Sequence, residues 1–208
     1  MENLAAILLA AGRSRRMGAF KPLLPFGDTT VIKSCLKHLR GAGVEEIIVV
    51  LGHRAEDVRA HLADSEVSFA LNPDPHSAMG VSVAHGIEQI RPDATALLIA
   101  LVDHPAVDTA TIKTITQEWQ RGAKLVQPEH DGRGGHPVLI DLSYRNELLN
   151  LDPTKGLRSF FAAHRREVQR VKVESPFVAR DMDTWEDYVS LHQDFIGRPP
   201  PLNNPGFL

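Results

Sequence analysis

The sequence contains few of the residues that mark a disulfide-stabilised, membrane-bound or nucleic-acid-binding protein. Its single cysteine, Cys35, permits neither an internal disulfide nor a thiolate metal site. No apolar run approaches the length of a membrane span, and no basic region precedes Leu4 as it would in a signal peptide. A net charge of −3 provides no global basic field for nucleic acid. We therefore expect a cytoplasmic protein with no membrane or nucleic-acid partner.

Common ligand-binding motifs are also missing. The sequence has no G-x-G-x-x-G and no glycine-rich loop that ends in G-K-[ST], and no histidine pair has H-E-x-x-H spacing. A standard dinucleotide fingerprint, a Walker loop and a zinc hydrolase are therefore not expected.

The composition fits a single folded unit. Hydrophobic residues make up 43% and charged residues 24% of the 208-residue chain, which suits one globular α/β domain because two domains would both be small. We expect residues 1–196 to form this domain. Residues 197–208 are rich in proline and are expected to form a flexible tail.

Short apolar segments alternate with helical patterns along the first half of the chain. After a first strand that starts at Leu4, strands are predicted at 46–51, 67–71 and 96–102, and helices at 31–39, 55–62 and 79–90. Strands this apolar are typical of a parallel sheet covered on both faces, so we predict a Rossmann-like, doubly wound three-layer sandwich with a mostly parallel sheet. The active edge is then expected beyond the carboxyl ends of the strands. Further helices are predicted at 111–120, 143–149, 155–164 and 184–195, and further strands at 124–127, 138–140 and 168–173.

The segment after the first strand has the composition of an anion-binding loop. The small residues Ala10, Ala11 and Gly12 allow backbone N–H groups to approach a ligand closely. Four cations then follow at the same end of the strand, and such side chains suit phosphate oxygens: Arg13, Arg15, Arg16 and Lys21. A solvated basic turn is the alternative interpretation, and the joint pattern favours a phosphate loop.

An aspartate follows the most apolar predicted strand. Asp103 lies in the segment L-V-D-H-P, and a carboxylate at the open edge of a parallel sheet is well placed to bind Mg²⁺. An aspartate that starts a turn before proline is the alternative. Its expected position beside the basic loop favours the metal role.

The residues from Leu9 to Lys21 read L-A-A-G-x-S-x-R-M-G-x-x-K. This segment resembles the signature loop of the MobA-like nucleotidyltransferases, which include the molybdenum cofactor guanylyl- and cytidylyltransferases. Ala11 stands where the guanylyltransferases tend to carry glycine, which favours the cytidylyltransferase branch. The resemblance extends to about Tyr188 and excludes the tail.

The resemblance implies roles for two carboxylates. Asp103 and Pro105 match the family's aspartate and proline, whereas Val102 replaces the usual glycine or alanine and either crowds the pocket or packs inward. The segment from 181 to 188 resembles the family's D-x-D-T-x-x-D-Y, whose aspartate before the threonine, here Asp183, completes the metal site. Capping of the last helix is the structural alternative for this segment.

The same resemblance implies contacts with substrates. A nucleotide would be held by the loop, by two polar residues near the third strand and by the first acid: Leu9, Ala10, Ala11, Gly12, Arg13, Ser14, Lys21, Asn72, Ser82 and Asp103. Asn72 with Pro73 also fits an ordinary turn. Gly135 and His136 match a segment near the acceptor, although Gly135 equally fits a residue that only turns the chain, and a structural role for His136 is narrowly favoured.

These residues together predict an Mg²⁺-dependent nucleotidyltransferase. Lys21 and Arg16 would neutralise the triphosphate, and Asp103 and Asp183 would hold Mg²⁺ during attack on the α-phosphorus. The resemblance implies CTP as donor, the phosphate of molybdopterin as acceptor, and contact with a molybdoenzyme or its chaperone. Guanylyl transfer and transfer to a sugar or polyol phosphate are the alternatives within the enzyme class. A nucleotide- or cofactor-binding accessory protein without turnover is the alternative from another class.

Overall fold

The structure is a computed structural model that describes residues 3–74, 76–152 and 155–201. Ten strands are present in these ranges: β1 (Leu4–Ala10), β2 (Pro25–Phe26), β3 (Thr29–Thr30), β4 (Glu46–Leu51), β5 (Ser68–Leu71), β6 (Ala96–Leu101), β7 (Leu125–His130), β8 (Arg133–Gly134), β9 (Val138–Asp141) and β10 (Val168–Lys172). The helices are α1 (Val31–Gly41), α2 (Ala55–His61), α3 (Met79–Glu88), α4 (Thr109–Gln120), α5 (Arg145–Leu149), α6 (Gly156–Ala163) and α7 (Trp185–Ile196). Short 3₁₀ turns cover Lys21–Leu23, Leu142–Tyr144 and Pro176–Ala179.

Eight strands form one sheet, in the order β10-β7-β9-β6-β1-β4-β5 with β8 paired to β7. The pairs β1–β4, β1–β6, β4–β5 and β7–β10 are parallel, whereas β9 runs antiparallel between β6 and β7. The predicted mostly parallel α/β sheet is confirmed. The short hairpin of β2 and β3 lies outside this sheet and was not predicted.

Successive side chains of β1 point to opposite faces of the sheet, as the period of a strand requires. Ala6 and Leu8 belong to one apolar cluster, which includes residues of α1, α4 and α7. Ile7 and Leu9 belong to the other, which includes residues of α3, α5 and α6. Helices therefore cover both faces, and the predicted three-layer arrangement is confirmed.

The centre of the sheet contains a topological switch point. The chain leaves β1 for β4 on one side and returns to β6 on the other side of β1. Open α/β sheets bind ligands in the crevice beyond the carboxyl ends of such strands. The carboxyl ends of β1 and β6 lie side by side, because the Val102 N–H donates to the Leu9 carbonyl at 3.1 Å.

One segment differs from its sequence prediction. The chain between the predicted strands at 124–127 and 138–140 is largely a β-hairpin, in which β7 continues to His130 and pairs with β8 across Asp131 and Gly132. Both of these residues have positive φ angles, +48° and +77°, which suit a two-residue hairpin turn. This part of the chain therefore has regular strand pairing where the sequence analysis predicted no strand.

The predicted tail begins with an anchored segment. Gly197 ends α7 with φ +83°, and the buried ring of His192 then donates from Nδ1 to the Arg198 carbonyl at 2.6 Å. The Arg198 guanidinium also pairs with Asp28 at 2.8 Å, and Pro200 is buried. The first residues of the predicted tail therefore contact α7 and Asp28, and the flexibility of the tail stays a prediction. Residues 202–208 of that tail, and the first two residues of the predicted domain, lie outside the described residues.

The helices are short or polar relative to a bilayer span. None of those within residues 3–74, 76–152 and 155–201 is both long and apolar enough to cross a membrane.

Candidate active site

A cleft of about 330 Å³ opens at the switch point of the sheet. Its walls come from the loop after β1, from the segment between β5 and α3, from the end of β6 and from the residue before the N-cap of α7. The lining residues are Leu9, Ala11, Gly12, Arg13, Ser14, Arg16, Lys21, Pro22, Asn72, Asp74, Ser77, Met79, Ser82, Leu101, Val102, Asp103 and Asp183. Most of the predicted site residues therefore meet in one place.

Ser14 folds the basic loop back on itself. It is one of the few non-glycine residues with a positive φ, +51°, a conformation that costs energy and is often found at ligand-binding sites. Its carbonyl accepts hydrogen bonds from the N–H groups of Met17 and Gly18 at 3.2 and 3.3 Å. Its hydroxyl accepts from the Lys21 N–H at 3.3 Å. Ser14 thus joins the arginine-rich turn to the lysine that ends the motif.

Two glycines flank the start of this loop in different ways. A Cβ added to Gly12 would meet nothing within 4 Å, so this backbone faces open space in the cleft. A Cβ added to Gly52, just after β4, would lie 2.8 Å from the Ala11 carbonyl oxygen and 3.0 Å from the Ala11 Cβ. Gly52 therefore allows close packing of the loop, a role that the sequence analysis missed.

The Lys21 ammonium lies between the two predicted acids. Its Nζ is 2.7 Å from Oδ1 of Asp183 and 4.0 Å from Oδ2 of Asp103. The Lys21 side chain is only 9% exposed, whereas the two carboxylates remain about a quarter exposed, at 27% for Asp103 and 22% for Asp183. A buried cation thus faces two carboxylates that are still open to the cleft.

Arg16 makes the outer contact of this cluster. Its Nη2 lies 2.6 Å from Oδ2 of Asp183, and its side chain is 73% exposed. An ion pair of such an exposed arginine contributes little to stability, because solvent screens it. Arg16 is therefore free to move to another anion at little cost.

At the start of α7, the residues that cap the helix differ from the residue that faces the cleft. Thr184 is the N-cap, and it forms a capping box in which its hydroxyl accepts from the Asp187 N–H and the Asp187 carboxylate accepts from the Thr184 N–H. The carboxylate of Asp183 makes none of these capping contacts and faces Lys21 instead. The structural alternative thus describes Thr184 and Asp187, and leaves Asp183 available in the cleft.

Two histidines lie behind Asp103. His104 donates from Nδ1 to Oδ1 of Asp103 at 2.8 Å, and its ring contacts that of His136 with centroids 5.7 Å apart. Burial alone would raise the pKa of Asp103. The hydrogen bond and charge of His104, together with the charge of Lys21, outweigh burial and hold that pKa below its ordinary value. Asp103 is therefore kept ionised.

His136 has the opposite electrostatic balance. Burial, with repulsion from His104, lowers the pKa of His136 to about 4. The ring is therefore neutral near pH 7. Its Nδ1 lies 3.5 Å from the carbonyl oxygen of Ile99, so this nitrogen points toward β6.

Asn72 lines the cleft, but its amide is used within the protein. The side-chain NH₂ donates to the hydroxyls of Ser77 and Ser82 at 2.7 and 2.8 Å, and Oδ1 accepts from the Asp74 N–H at 3.2 Å. This is an Asx turn that shapes the segment before α3. A direct contact with a base or ribose, as predicted for Asn72 and Ser82, stays a prediction.

Three predicted residues do not line this cleft. Ala10 is 1% exposed and its side chain belongs to the core. His136 lines a neighbouring pocket instead. Gly135 fits its place for a steric reason, because an added Cβ would lie 2.0 Å from the Val178 carbonyl oxygen. A contact of any of these three with substrate stays a prediction.

Val102, which replaces the family's usual glycine or alanine, packs inward and also borders the cleft. Its side chain packs into the core cluster and is 9% exposed, yet it also reaches the cleft wall beside Asp103. Its carbonyl accepts a long contact of 3.9 Å from the buried Cys35 thiol. Val102 therefore fills space behind the first acid.

Sequence reasoning missed several residues of the site. Asp74, Ser77 and Met79 line the cleft, and His104 orients Asp103. The N-P-D order after β5 carries an Asx-turn signal that would have indicated Asp74. Nothing in the local sequence marks the position of Met79, because its place depends on how α3 packs.

A divalent cation fits the donor set of this cleft. Within the described residues, no three histidine, cysteine, aspartate or glutamate side chains cluster closely enough to hold a metal. Two carboxylates do face one cation, the Lys21 ammonium, so the arrangement already accommodates positive charge. Mg²⁺ is commonly bound by one or two carboxylates with water and substrate phosphates as its remaining ligands. Asp103 and Asp183 match that pattern.

Comparison with known proteins identifies the family. Residues 6–168 match the MobA-like NTP transferase domain. The chain belongs to this family. As a MobA-like NTP transferase it is a transferase enzyme of the nucleotidyltransferase type, which agrees with the loop and the two acids described above.

Two full-length relatives of this MobA-like chain have different named activities. The molybdenum cofactor cytidylyltransferase of Escherichia coli (strain K12) is 24% identical over 197 residues, which cover 94% of this chain and 98% of the relative. The nicotine blue oxidoreductase of Paenarthrobacter nicotinovorans is 28% identical over 198 residues, which cover 89% and 94%. Similarity along the whole chain therefore identifies the family without fixing the substrates.

Solved structures confirm the fold. Rv0371c from Mycobacterium tuberculosis H37Rv superposes with a TM-score of 0.82 at 31% identity, covering 92% of this chain and 98% of that chain. A structure of Rv0371c in complex with manganese superposes with a TM-score of 0.79 at 29% identity, again covering 92% and 98%. That neighbour of our MobA-like chain thus binds a divalent metal.

Proposed function

We propose that the protein transfers CMP from CTP to the phosphate of molybdopterin, with release of pyrophosphate and with Mg²⁺ bound. One observation carries the proposal: the buried ammonium of Lys21 lies between Asp103 and Asp183 inside a cleft walled by the arginine-rich loop. Phosphate-binding cations and metal-binding carboxylates converge there. That pairing fits chemistry on a triphosphate, whereas simple nucleotide binding needs only the cations.

In the proposed reaction an oxygen of the acceptor phosphate forms a bond to the α-phosphorus of CTP. The bond from that phosphorus to the bridging oxygen breaks, and its electron pair leaves with pyrophosphate. Lys21 and Arg16 neutralise charge on the departing phosphates, and the loop backbone at Ala11 and Gly12 positions them. A bound Mg²⁺ would be held by Asp103 and Asp183 and would supply further neutralisation of the charge on the phosphates.

Arg16 changes partners in this proposal. Its guanidinium holds Asp183 through a solvent-exposed pair, and triphosphate oxygens offer a more highly charged partner in the same cleft. Moving Arg16 to the triphosphate leaves Asp183 with the lysine alone, and so opens one side of this carboxylate for a metal ion. Lys21 keeps its position because it is buried.

The choice of CTP and molybdopterin rests on two supports. A relative of nearly equal length is named as a molybdenum cofactor cytidylyltransferase, and Ala11 matches the cytidylyltransferase form of the loop. Guanylyl transfer, or transfer to a sugar or polyol phosphate, would use the same loop and acids. An accessory protein that binds a nucleotide without turnover would not need both carboxylates.

Pyrophosphate release tests the proposal directly. Each of the four nucleoside triphosphates is incubated with Mg²⁺, with and without molybdopterin, and we expect release only with CTP and molybdopterin together. Asp103→Asn is expected to reduce the rate by at least about 100-fold, the scale of losing a group that stabilises transition-state charge. Asp181→Asn removes an exposed carboxylate outside the cleft and serves as the matched control. Undiminished activity of Asp103→Asn would contradict the metal role, and release with another triphosphate would overturn the choice of donor.

A further inference from the structure

A second pocket, of about 600 Å³, lies beside the triphosphate cleft. It is enclosed by the start of α3, by α6 and by β10, and its lining includes Met79 and His136. Met79 also lines the first cleft. The ring of His136 contacts that of His104, which in turn holds Asp103. The second pocket therefore opens next to the proposed point of reaction.

The rim of the second pocket is cationic. Four basic side chains line it, and none of its lining residues in the described part of the chain is acidic: Lys155, Arg158, Arg165 and Arg170. Arg170 pairs with Glu129 at 2.8 Å and Lys155 pairs with Asp152 at 3.5 Å. Within the described residues, Arg158 and Arg165 make no hydrogen bond or ion pair. Two guanidinium groups are thus available for a ligand.

The wall of the pocket is apolar. Leu157 and Phe161 contribute from α6, Val168 from β10 and Met79 from α3. Met79 is 48% exposed, an unusual exposure for a large apolar side chain in this protein. Pockets with apolar walls and a few placed charges bind ring systems that carry anionic groups. A small polyol phosphate would leave this apolar surface uncovered.

We propose that this pocket holds the body of the acceptor, a ring system that carries a second anionic group bound by Arg158 and Arg165. The inference rests on the proposed function and deepens it, because it defines the acceptor class. The acceptor enters with its reacting phosphate toward Asp103 and its ring against Phe161 and Met79. This arrangement favours a ring-bearing polyanion over a sugar or polyol monophosphate.

Two aromatic probes isolate the effect of the second anionic group. Naphthalene-1,5-disulfonate and naphthalene-1-sulfonate share one ring system and differ by one anionic group. Isothermal titration of the full chain is expected to show the disulfonate binding about tenfold more tightly, since one charge-assisted contact has roughly that value. Equal affinities for the two probes would overturn the proposal.

Three variants locate the probe. Arg158→Gln and Arg165→Gln are each expected to remove most of the disulfonate advantage and to leave monosulfonate binding nearly unchanged. Arg166→Gln, an exposed neighbour that does not line the pocket, is the matched control and is expected to change neither affinity. All three positions are exposed, so thermal melts should match the wild type. If both pocket variants keep the full advantage, the assignment of these arginines is wrong.

A fourth variant separates this site from the triphosphate cleft. Lys21→Ala is expected to leave disulfonate affinity unchanged, because Lys21 lines only the first cleft. A loss of probe binding in Lys21→Ala, with none in Arg158→Gln, would place the probe among the triphosphate-binding cations and overturn the proposal. The titration involves no triphosphate and no turnover, so its failure is distinguishable from failure of the pyrophosphate assay.

Discussion

The Nζ of Lys21 donates to Oδ1 of Asp183 at 2.7 Å, although 162 residues separate the two in the chain. This contact joins the loop after β1 to the start of α7. It brings the carboxylate of Asp183 into contact with the loop motif that ends at Lys21. Because Lys21 is 7% exposed as a whole residue, the pair is shielded from solvent on the lysine side. The contact therefore contributes to the shape of the cleft and to the stability of the fold.

Replacing this lysine should weaken both CTP binding and the stability of the fold. For Lys21→Ala we expect CTP affinity, measured by isothermal titration with Mg²⁺, to fall at least about tenfold, because a charge-assisted phosphate contact is lost. The free energy of unfolding should fall by about 1.5–3 kcal/mol, the range for a hydrogen bond to a charged group. Urea unfolding measures the second quantity.

The control for this change is an exposed lysine of α1. Lys37→Ala removes the same side chain outside the cleft and should change neither CTP affinity nor stability appreciably. A loss of stability in Lys21→Ala without any change in CTP affinity would contradict the phosphate role. Such a result would favour a purely structural ion pair.

Removing the charge of Asp183 should affect metal binding. For Asp183→Asn we expect the affinity for Mn²⁺, measured by electron paramagnetic resonance in the presence of CTP, to fall by about tenfold or more, since carboxylates are the preferred ligands of such hard cations. Asp181→Asn, two residues earlier and exposed, should leave Mn²⁺ affinity unchanged. Equal Mn²⁺ affinity in the wild type and in Asp183→Asn would show that this carboxylate is not a ligand.

The parts of the site that lie in short motifs were predictable from the sequence. The loop from Leu9 to Lys21 and the acids Asp103 and Asp183 each follow or precede a strongly patterned strand or helix. The parallel sheet places the loop and Asp103 at one edge, and the family resemblance placed Asp183 with them. Their placement in one cleft was predictable because each residue's position depends mainly on the element beside it, and their roles stay predictions.

Other features depend on contacts that local sequence does not encode. Gly52 is needed because of how closely Ala11 approaches, and Asn72 is occupied by hydroxyls that only the packing of α3 brings near. The second pocket combines side chains from α3, α6 and β10, which no motif connects. The hydrogen bond from the buried His192 ring to the Arg198 carbonyl joins the start of the predicted tail to α7, and no motif indicates it. Long-range packing decides all of these.

Substitutions at Gly12 and Gly52 should separate an effect on CTP binding from an effect on stability. Gly12→Ala adds a methyl group into open space, so stability should be unchanged, whereas CTP affinity should fall about tenfold because the methyl group blocks backbone approach to the phosphates. Gly52→Ala places a methyl group against Ala11 and should cost about 1–3 kcal/mol of stability. Isothermal titration and urea unfolding of both variants provide the test. Unchanged CTP affinity in Gly12→Ala would mean that the loop backbone does not contact the triphosphate.

A surface cluster on α5 and α6 should make stability depend on pH. The ring of His164 lies 3.0 Å from Glu167 and 2.8 Å from Glu147. Hydrogen bonds to these two carboxylates raise the pKa of His164 above its ordinary value. A raised folded-state pKa gives stabilisation that is fully present below the unfolded-state pKa of about 6.5 and lost as pH rises through the folded-state value.

The variant His164→Gln tests the direction of this effect. The difference in unfolding free energy between wild type and His164→Gln should be larger at pH 6 than at pH 9, as measured by urea unfolding at both pH values. His76→Gln changes an exposed histidine in another loop and should show no such trend. A difference that grows with pH would have the wrong sign for a protonated His164.

Gly135 distinguishes a structural role from an acceptor role. A Cβ at this position would lie 2.0 Å from the Val178 carbonyl oxygen, which accepts the His136 N–H at 2.9 Å, so Gly135→Ala must displace backbone. We expect a loss of at least about 3 kcal/mol in the free energy of unfolding without any substrate present. The neighbouring Gly134→Ala meets only the side-chain amide of Gln127, which rotates away, and should cost little. If Gly135→Ala instead keeps full stability and only raises the KM for the acceptor, then the residue contacts substrate and the steric explanation is wrong.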